Sequence, residues 1–156
     1  MWKGYFNIEN IPEWVCPICN KGILIGDKKT LIVTEYEHSK AEHSDENWEP
    51  LWISGNFSGF IKCNSSKCKE KVVVIVTTSV EEDNYYDETY DAVFQTYYDR
   101  LQPKLFVPTL NIFEIQTEIP ENIKSQIQEA FYLFFVDSSA CSNKIRIVVE
   151  FIMDAF

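Results

Sequence analysis

The sequence predicts an α+β chain, a β-rich lobe over residues 1–117 followed by a helical hairpin over residues 118–156. Two observations carry this. Short runs rich in valine, isoleucine and aromatic residues, separated by Pro, Gly and acidic stretches, fill the first part. From Pro120 onward the apolar residues recur at steps of three and four. At 156 residues, 46% of them hydrophobic, the chain suffices for one cored domain or two small lobes.

In chain order, residues 1–15 are mixed and aromatic, with Pro12 ahead of a first cysteine pair. Thr30 to Tyr36 reads as the first strand. The polar, acidic segment from Glu37 to Pro50 holds both histidines and reads as an exposed loop, part of an insertion over 37–56. Phe57 to Lys62 is a second strand, and Lys71 to Val80, dense in valine and isoleucine, a third. Residues 81–91 hold six acids and three tyrosines, the composition of a turn or exposed hairpin tip. Ala92–Tyr98 and Lys104–Phe113 are extended again. Pro103 and Pro108 suit an edge strand or an irregular connection better than a central strand, because a missing N–H costs a ladder bond there.

The helical part starts at Glu118-Ile119-Pro120-Glu121, with Pro in the first turn and acids at the positive end of the dipole. Ile123, Ile127, Ala130, Phe131, Phe134 and Phe135 make one amphipathic face. Asp137-Ser138-Ser139 ends that helix and caps a second, whose stripe is Ile145, Val148, Val149, Ile152 and Met153. Arg146 and Glu150 stand four apart, in reach of each other. Such a hairpin must lay its apolar stripe on the β lobe, a second copy or a partner, and the chain looks shorter than its core wants.

The chemistry lies in the cysteines. Cys16-x2-Cys19 and Cys63-x4-Cys68 are two chelating pairs, each beside a β-like run, as in two facing knuckles of a zinc ribbon. Pro17 and Gly22 give the first pair the make-up of a knuckle turn. The 43 residues between the pairs exceed usual ribbon spacing, which the 37–56 insertion accounts for. The expectation is a structural Zn2+ held by Cys16, Cys19, Cys63 and Cys68. Free buried thiols and a redox dithiol are the bland alternatives, and Ile23–Ile25 with Gly26-Asp27 lacks the helix a redox Cys-x2-Cys opens. A competing Cys2His2 set would take Cys16, Cys19, His38 and His43, though 18 residues separate Cys19 from His38. Cys141 reads as a small core or boundary residue.

Several functions are disfavoured by the totals. A net charge of -10 and a pI near 4.6 oppose binding to nucleic-acid phosphates or anionic membranes. The longest apolar stretches, such as Val72–Val76 and Phe131–Val136, fall short of a bilayer span. The start carries no secretion-signal pattern, so a cytoplasmic protein is expected, where paired cysteines serve metals. No phosphate loop, nucleophile elbow or helical His pair marks a catalytic site, and a four-thiolate ion leaves no position for water.

Taken together, Cys16-Pro17-Ile18-Cys19, Cys63 and Cys68, Pro108 with Ile119-Pro120, Ile127-Gln128-Glu129-Ala130 and Arg146 to Glu150 resemble a bacterial family, domain of unknown function 4145. The second pair is wider than that family's usual spacing. The resemblance implies a zinc-knuckle lobe followed by HEPN-like helices, here incomplete, in a shortened member or one half of a split assembly. It also implies a place in bacterial or phage-borne anti-phage defence. HEPN ribonucleases use a late Arg-x4–6-His motif, and no histidine follows His43.

The leading expectation is therefore a non-enzymatic, zinc-stabilised protein-interaction module that meets a partner or its own copy through the helical hairpin. One alternative is a component of a HEPN-like or restriction-type nuclease completed by another chain. A further one is an acidic DNA mimic, from the overall charge and the 81–91 run.

Overall fold

The computed structural model describes residues 5–6, 11–26, 29–30 and 32–154. Leu31 of the first expected strand, most of the aromatic N-terminal stretch and the chain end at Phe156 lie outside the described residues. Five strands form one antiparallel sheet: β1 (Leu24–Gly26), β2 (Ile32–Glu35), β3 (Ser54–Cys63), β4 (Lys71–Asp87) and β5 (Ala92–Val107). Their order is β1-β3-β4-β5, with β2 beside β1 on the same edge of β3. Leu24 faces Cys63 near one end of β3, and Val33 faces Phe57 nearer the other.

Alternation decides which face is buried. On β3 Phe57, Ile61 and Cys63 point inward, and on β4 Val72, Val74 and Val76 do, all at 2% exposure or less. Phe60 and Ile75 point to solvent, the pattern of an antiparallel sheet covered on one side. Trp14 closes the covered side, its ring edge-on to Phe6 at 5.2 Å and to Phe106 at 4.9 Å.

β5 is the last strand of the sheet, with Phe6 bridged to Leu101 on its outer side, and its proline sits at a register shift. Val76 faces Pro103 while Ile75 faces Leu105, so Lys104 is the extra residue of a bulge. That strand ends at Val107, and the expected extension to Phe113 is instead irregular. The acidic run departs further from expectation. β4 continues through it to Asp87, and the turn occupies only 88–91. Cross-strand pairing with Ala92–Asp99 supplies the ladder that acids and Asn alone do not favour.

The expected insertion over 37–56 is more ordered than a loop. It contains helix α1 (Glu37–Glu42) and a 3-10 turn at Pro50–Trp52 before β3 begins at Ser54. Ser39 anchors it, fully buried, with its Oγ taking the Ser54 amide at 3.1 Å and donating to Glu35 Oε1 at 2.6 Å.

Two C-terminal helices follow, α2 (Glu121–Val136) and α3 (Ser138–Asp154), which makes the fold α+β. Asp137 Oδ1 accepts from the amides of Ser139 and Ala140 at 2.9 and 3.0 Å and so caps α3. Ile123, Ile127 and Phe131 pack on Val148, with Ile112, Ile115 and Ile119 from the linker completing the cluster. Phe135 joins α2 to the sheet, its ring 4.8 Å from that of Phe106. Cys141 is buried, its thiol donating to Ala130 O at 3.3 Å. The expected α3 stripe is only partly covered, since Ile145, Val149, Ile152 and Met153 are exposed while Val148 is buried.

Candidate metal centre

Two turns bring the four expected cysteines together. The first joins Trp14–Cys16 to Gly22–Leu24, where Cys16 N donates to Gly22 O and Leu24 N to Trp14 O, each at 2.8 Å. The second joins β3 to β4, with Cys63 N donating to Glu70 O at 2.8 Å. In both turns the residue directly after the second cysteine is left-handed: Asn20 has φ 51° and Lys69 φ 55°. Both also close alike, Asn20 N donating to Cys16 O at 2.9 Å and Lys69 N to Ser65 O at 3.0 Å.

Asn64 locks the turns to each other. Its amide donates to Ile23 O, and its Oδ1 accepts from Ile23 N, both at 2.9 Å. Gly22 lies over Cys63 so closely that a Cβ there would overlap the sulfur. Asn111 ties the first turn to the linker, donating to Asn20 Oδ1 at 2.8 Å.

The result is a sulfur cluster. Cys16 Sγ lies 3.9 Å from Cys68 Sγ and Cys19 Sγ 3.7 Å from Cys63 Sγ, with all four within 4.8 Å of one another. A disulfide needs sulfurs about 2.05 Å apart, so these are four free thiols. They can hold a metal ion. Cys16 and Cys63 are buried, and Cys19 and Cys68 partly so.

The thiols are unequal. Backbone amides of Gly22 and Lys21 donate to Cys19 and, with Cys63 and Cys68 alongside, pull its pKa down to about 6. Burial pushes Cys63 up to about 12, and the neighbouring sulfurs add to that. One thiolate is thus provided by the backbone, while full ionisation of the cluster needs a cation among the sulfurs.

The histidines belong elsewhere, which corrects the Cys2His2 alternative. His43 Nε2 lies 2.8 Å from Glu35 Oε1 and its ring meets Trp48, while His38 stacks on Tyr36 with Nε2 3.3 Å from Ser54 Oγ. Among the described residues the four cysteines are the group placed for a metal. Ser39, Glu35 and His43 do sit together, yet the carboxylate stands between the other two and the serine is fully buried. That order stabilises the start of α1 and offers no nucleophile. Arg146, at the expected helix position, pairs with Glu150 at 3.3 Å on an exposed face.

A profile of a domain of unknown function, DUF8608, matches residues 4–106. The chain belongs to this family. The DUF8608 segment takes in both cysteine turns, α1 and the whole sheet except the last residue of β5, and it ends before α2 and α3. It is a different family from the domain of unknown function 4145 whose short motifs the sequence resembles. No curated protein and no solved structure matches this DUF8608 chain. No helix among its described residues is long and apolar enough to cross a membrane.

The spacing of the four cysteines marks them as a group, but not what aligns them. Asn64, Asn20 and Lys69 went unnoticed, although a residue other than Gly directly after a knuckle's second cysteine carries a signal of its own. The left-handed turn there must be met by Asn or tolerated by Lys.

Proposed function

We propose that the protein is a non-enzymatic, zinc-stabilised interaction module. The observation that carries this is the sulfur geometry. A tetrahedral ion with bonds of about 2.3 Å to sulfur needs sulfur pairs about 3.8 Å apart; two of the pairs stand at 3.7 and 3.9 Å, and all four sulfurs lie within 4.8 Å. Thiolate donors on two knuckle-like turns suit zinc above harder divalent ions. Zinc would then clamp the first turn onto the β3–β4 turn with all four positions filled by protein, a structural role.

The contact surface in this reading is the helical pair. Ile145, Val149, Ile152 and Met153 lie open on α3, a face for a protein partner or a second copy. Thiols that must stay reduced to bind an ion fit a cytoplasmic setting. The HEPN-like character of the helices and a place in anti-phage defence extend the motif resemblance, and phage plating on a host lacking the gene tests the latter.

The reading is tested by treating the purified protein with an organomercurial while following released zinc, folding and nucleic-acid cleavage. One zinc per chain, loss of near-UV signal on its release, and intact RNA and DNA are expected. Zinc-free protein with the same near-UV signal, or cleavage of either nucleic acid, would overturn it.

A further inference from the structure

The β4–β5 hairpin outgrows its sheet. β3 stops pairing at Ser54 opposite Ser79, whereas β4 and β5 remain paired with each other out to Asp87 and Ala92. Beyond Ser79 the hairpin is a two-stranded arm; the 3-10 turn Pro50–Trp52 packs against β4, and the outer edge of β4 beyond Ser79 has no neighbouring strand among the described residues. Two-stranded ribbons are marginal alone, and an open edge is a template for another strand.

The arm's chemistry is one-sided. Between Val80 and Asp99 there are seven carboxylates and no Lys or Arg. Aromatic rings stand among them on both faces. Tyr85 stacks on Phe94 at 5.8 Å on one face, while Tyr86 and Tyr97 lie open on the other, at 57% and 42% exposure. Exposed edges in soluble proteins are usually blunted with lysine, and this arm has none. A second copy is a poor occupant, because its arm would bring the same seven negative charges alongside. Nucleic acid is excluded for the same reason.

At its root the arm shows what it holds. The guanidinium of Arg100 pairs with the Glu81 carboxylate and stands over the Tyr5 ring at 4.2 Å, while Tyr98 OH donates to Glu81 at 3.1 Å. Carboxylate plus ring is a site for a guanidinium or ammonium group. The arm repeats both components along its length without a further cation of its own.

We propose that the arm is a docking edge for an extended, lysine- and arginine-rich segment of a partner protein, added as a strand beside β4 with its cations reaching the carboxylates and rings of both faces. Strand addition fits because side chains of an added strand alternate between the faces, and both faces carry the same chemistry. This inference goes beyond the zinc-stabilised module and uses a different surface from the helical pair.

The test is fluorescence anisotropy of a labelled eight-residue peptide, two repeats of Arg-Arg-Val-Val so that an added strand turns arginines to both faces, against the full-length, zinc-loaded protein. Three forms are compared: wild type, an arm variant carrying Glu82→Lys and Asp87→Lys, and a control carrying Glu46→Lys and Glu49→Lys. The expected result is binding that weakens with salt, lost at least tenfold in the arm variant and kept within twofold in the control. Zinc content and melting temperature, measured on each form, establish that the arm variant is folded. If that variant proves misfolded, Tyr86→Ser with Tyr97→Ser serves in its place, with the same loss expected. No binding to wild type, or equal loss in arm and control variants, overturns the proposal. So does self-association that the arm substitutions abolish, and none of these results bears on the zinc site.

Discussion

Gly22 and Cys63 come from opposite turns of the sulfur cluster, and the space a side chain would occupy on Gly22 is already filled by the Cys63 sulfur. The same hypothetical Cβ would lie 3.1 Å from Asn64 Oδ1 and from Ser65 Cβ. None of these neighbours is free to move, since Asn64 bonds Ile23 and the Ser65 amide donates to Cys63 Sγ at 3.4 Å. The glycine sets how closely the two turns approach.

Gly22→Ala should therefore separate the turns. Overpacking of this kind costs about 1–3 kcal/mol, and the variant is expected to lose zinc to a competing chelator at least tenfold more readily. Thermal melting and a chelator titration check both. A melting temperature and metal affinity equal to wild type would show that the turns tolerate a wider spacing.

Asp137 is the joint between the helices, because its carboxylate takes two amides of the first turn of α3. Asp137→Ala should cost about 1 kcal/mol, the usual worth of such a cap. Asp137→Asn, which keeps an acceptor, should recover most of it. Chemical denaturation of the three forms reads the difference.

Acid should loosen the segment around α1. The Ser39 hydroxyl and then His43 hold the Glu35 carboxyl below its ordinary value of 4.5. A carboxylate whose pKa is depressed by folding stabilises the fold above the unfolded value, and that contribution is lost as pH falls below it. Amide exchange over residues 35–54 is expected to quicken as pH drops below about 4.5, after correction for intrinsic rates. In Glu35→Gln that acid-dependent step should be absent.

Much of the site was legible because closely spaced cysteine pairs announce themselves, and the insertion between the pairs explains their separation. Pro103 and Pro108 marked an edge strand and an irregular connection for a similar local reason: proline lacks the donor that an interior strand needs. The cap at Asp137 was likewise readable from residue type and position. The length of the hairpin was not. Glu81 to Asp87 has neither alternation nor β-forming composition, since both faces are solvated, and only its pairing with β5 makes it a strand. Ser39 was hidden for another reason. Its burial depends on Glu35 and Ser54, which a local window cannot bring together. On α3 the periodic stripe was correct in sequence, yet periodicity shows which residues share a face and not whether another element covers it.

In the proposed reading Cys16, Cys19, Cys63 and Cys68 together hold one structural zinc ion. Native mass spectrometry of three forms tests it most directly: wild type, Cys63→Ser, and the double variant His38→Ala with His43→Ala. One zinc per chain is predicted for wild type and for the double variant, with none in Cys63→Ser, whose β lobe should unfold because the binding energy is folding energy. A Cys63→Ser protein that keeps its zinc, or a double histidine variant that loses it, would contradict the claim.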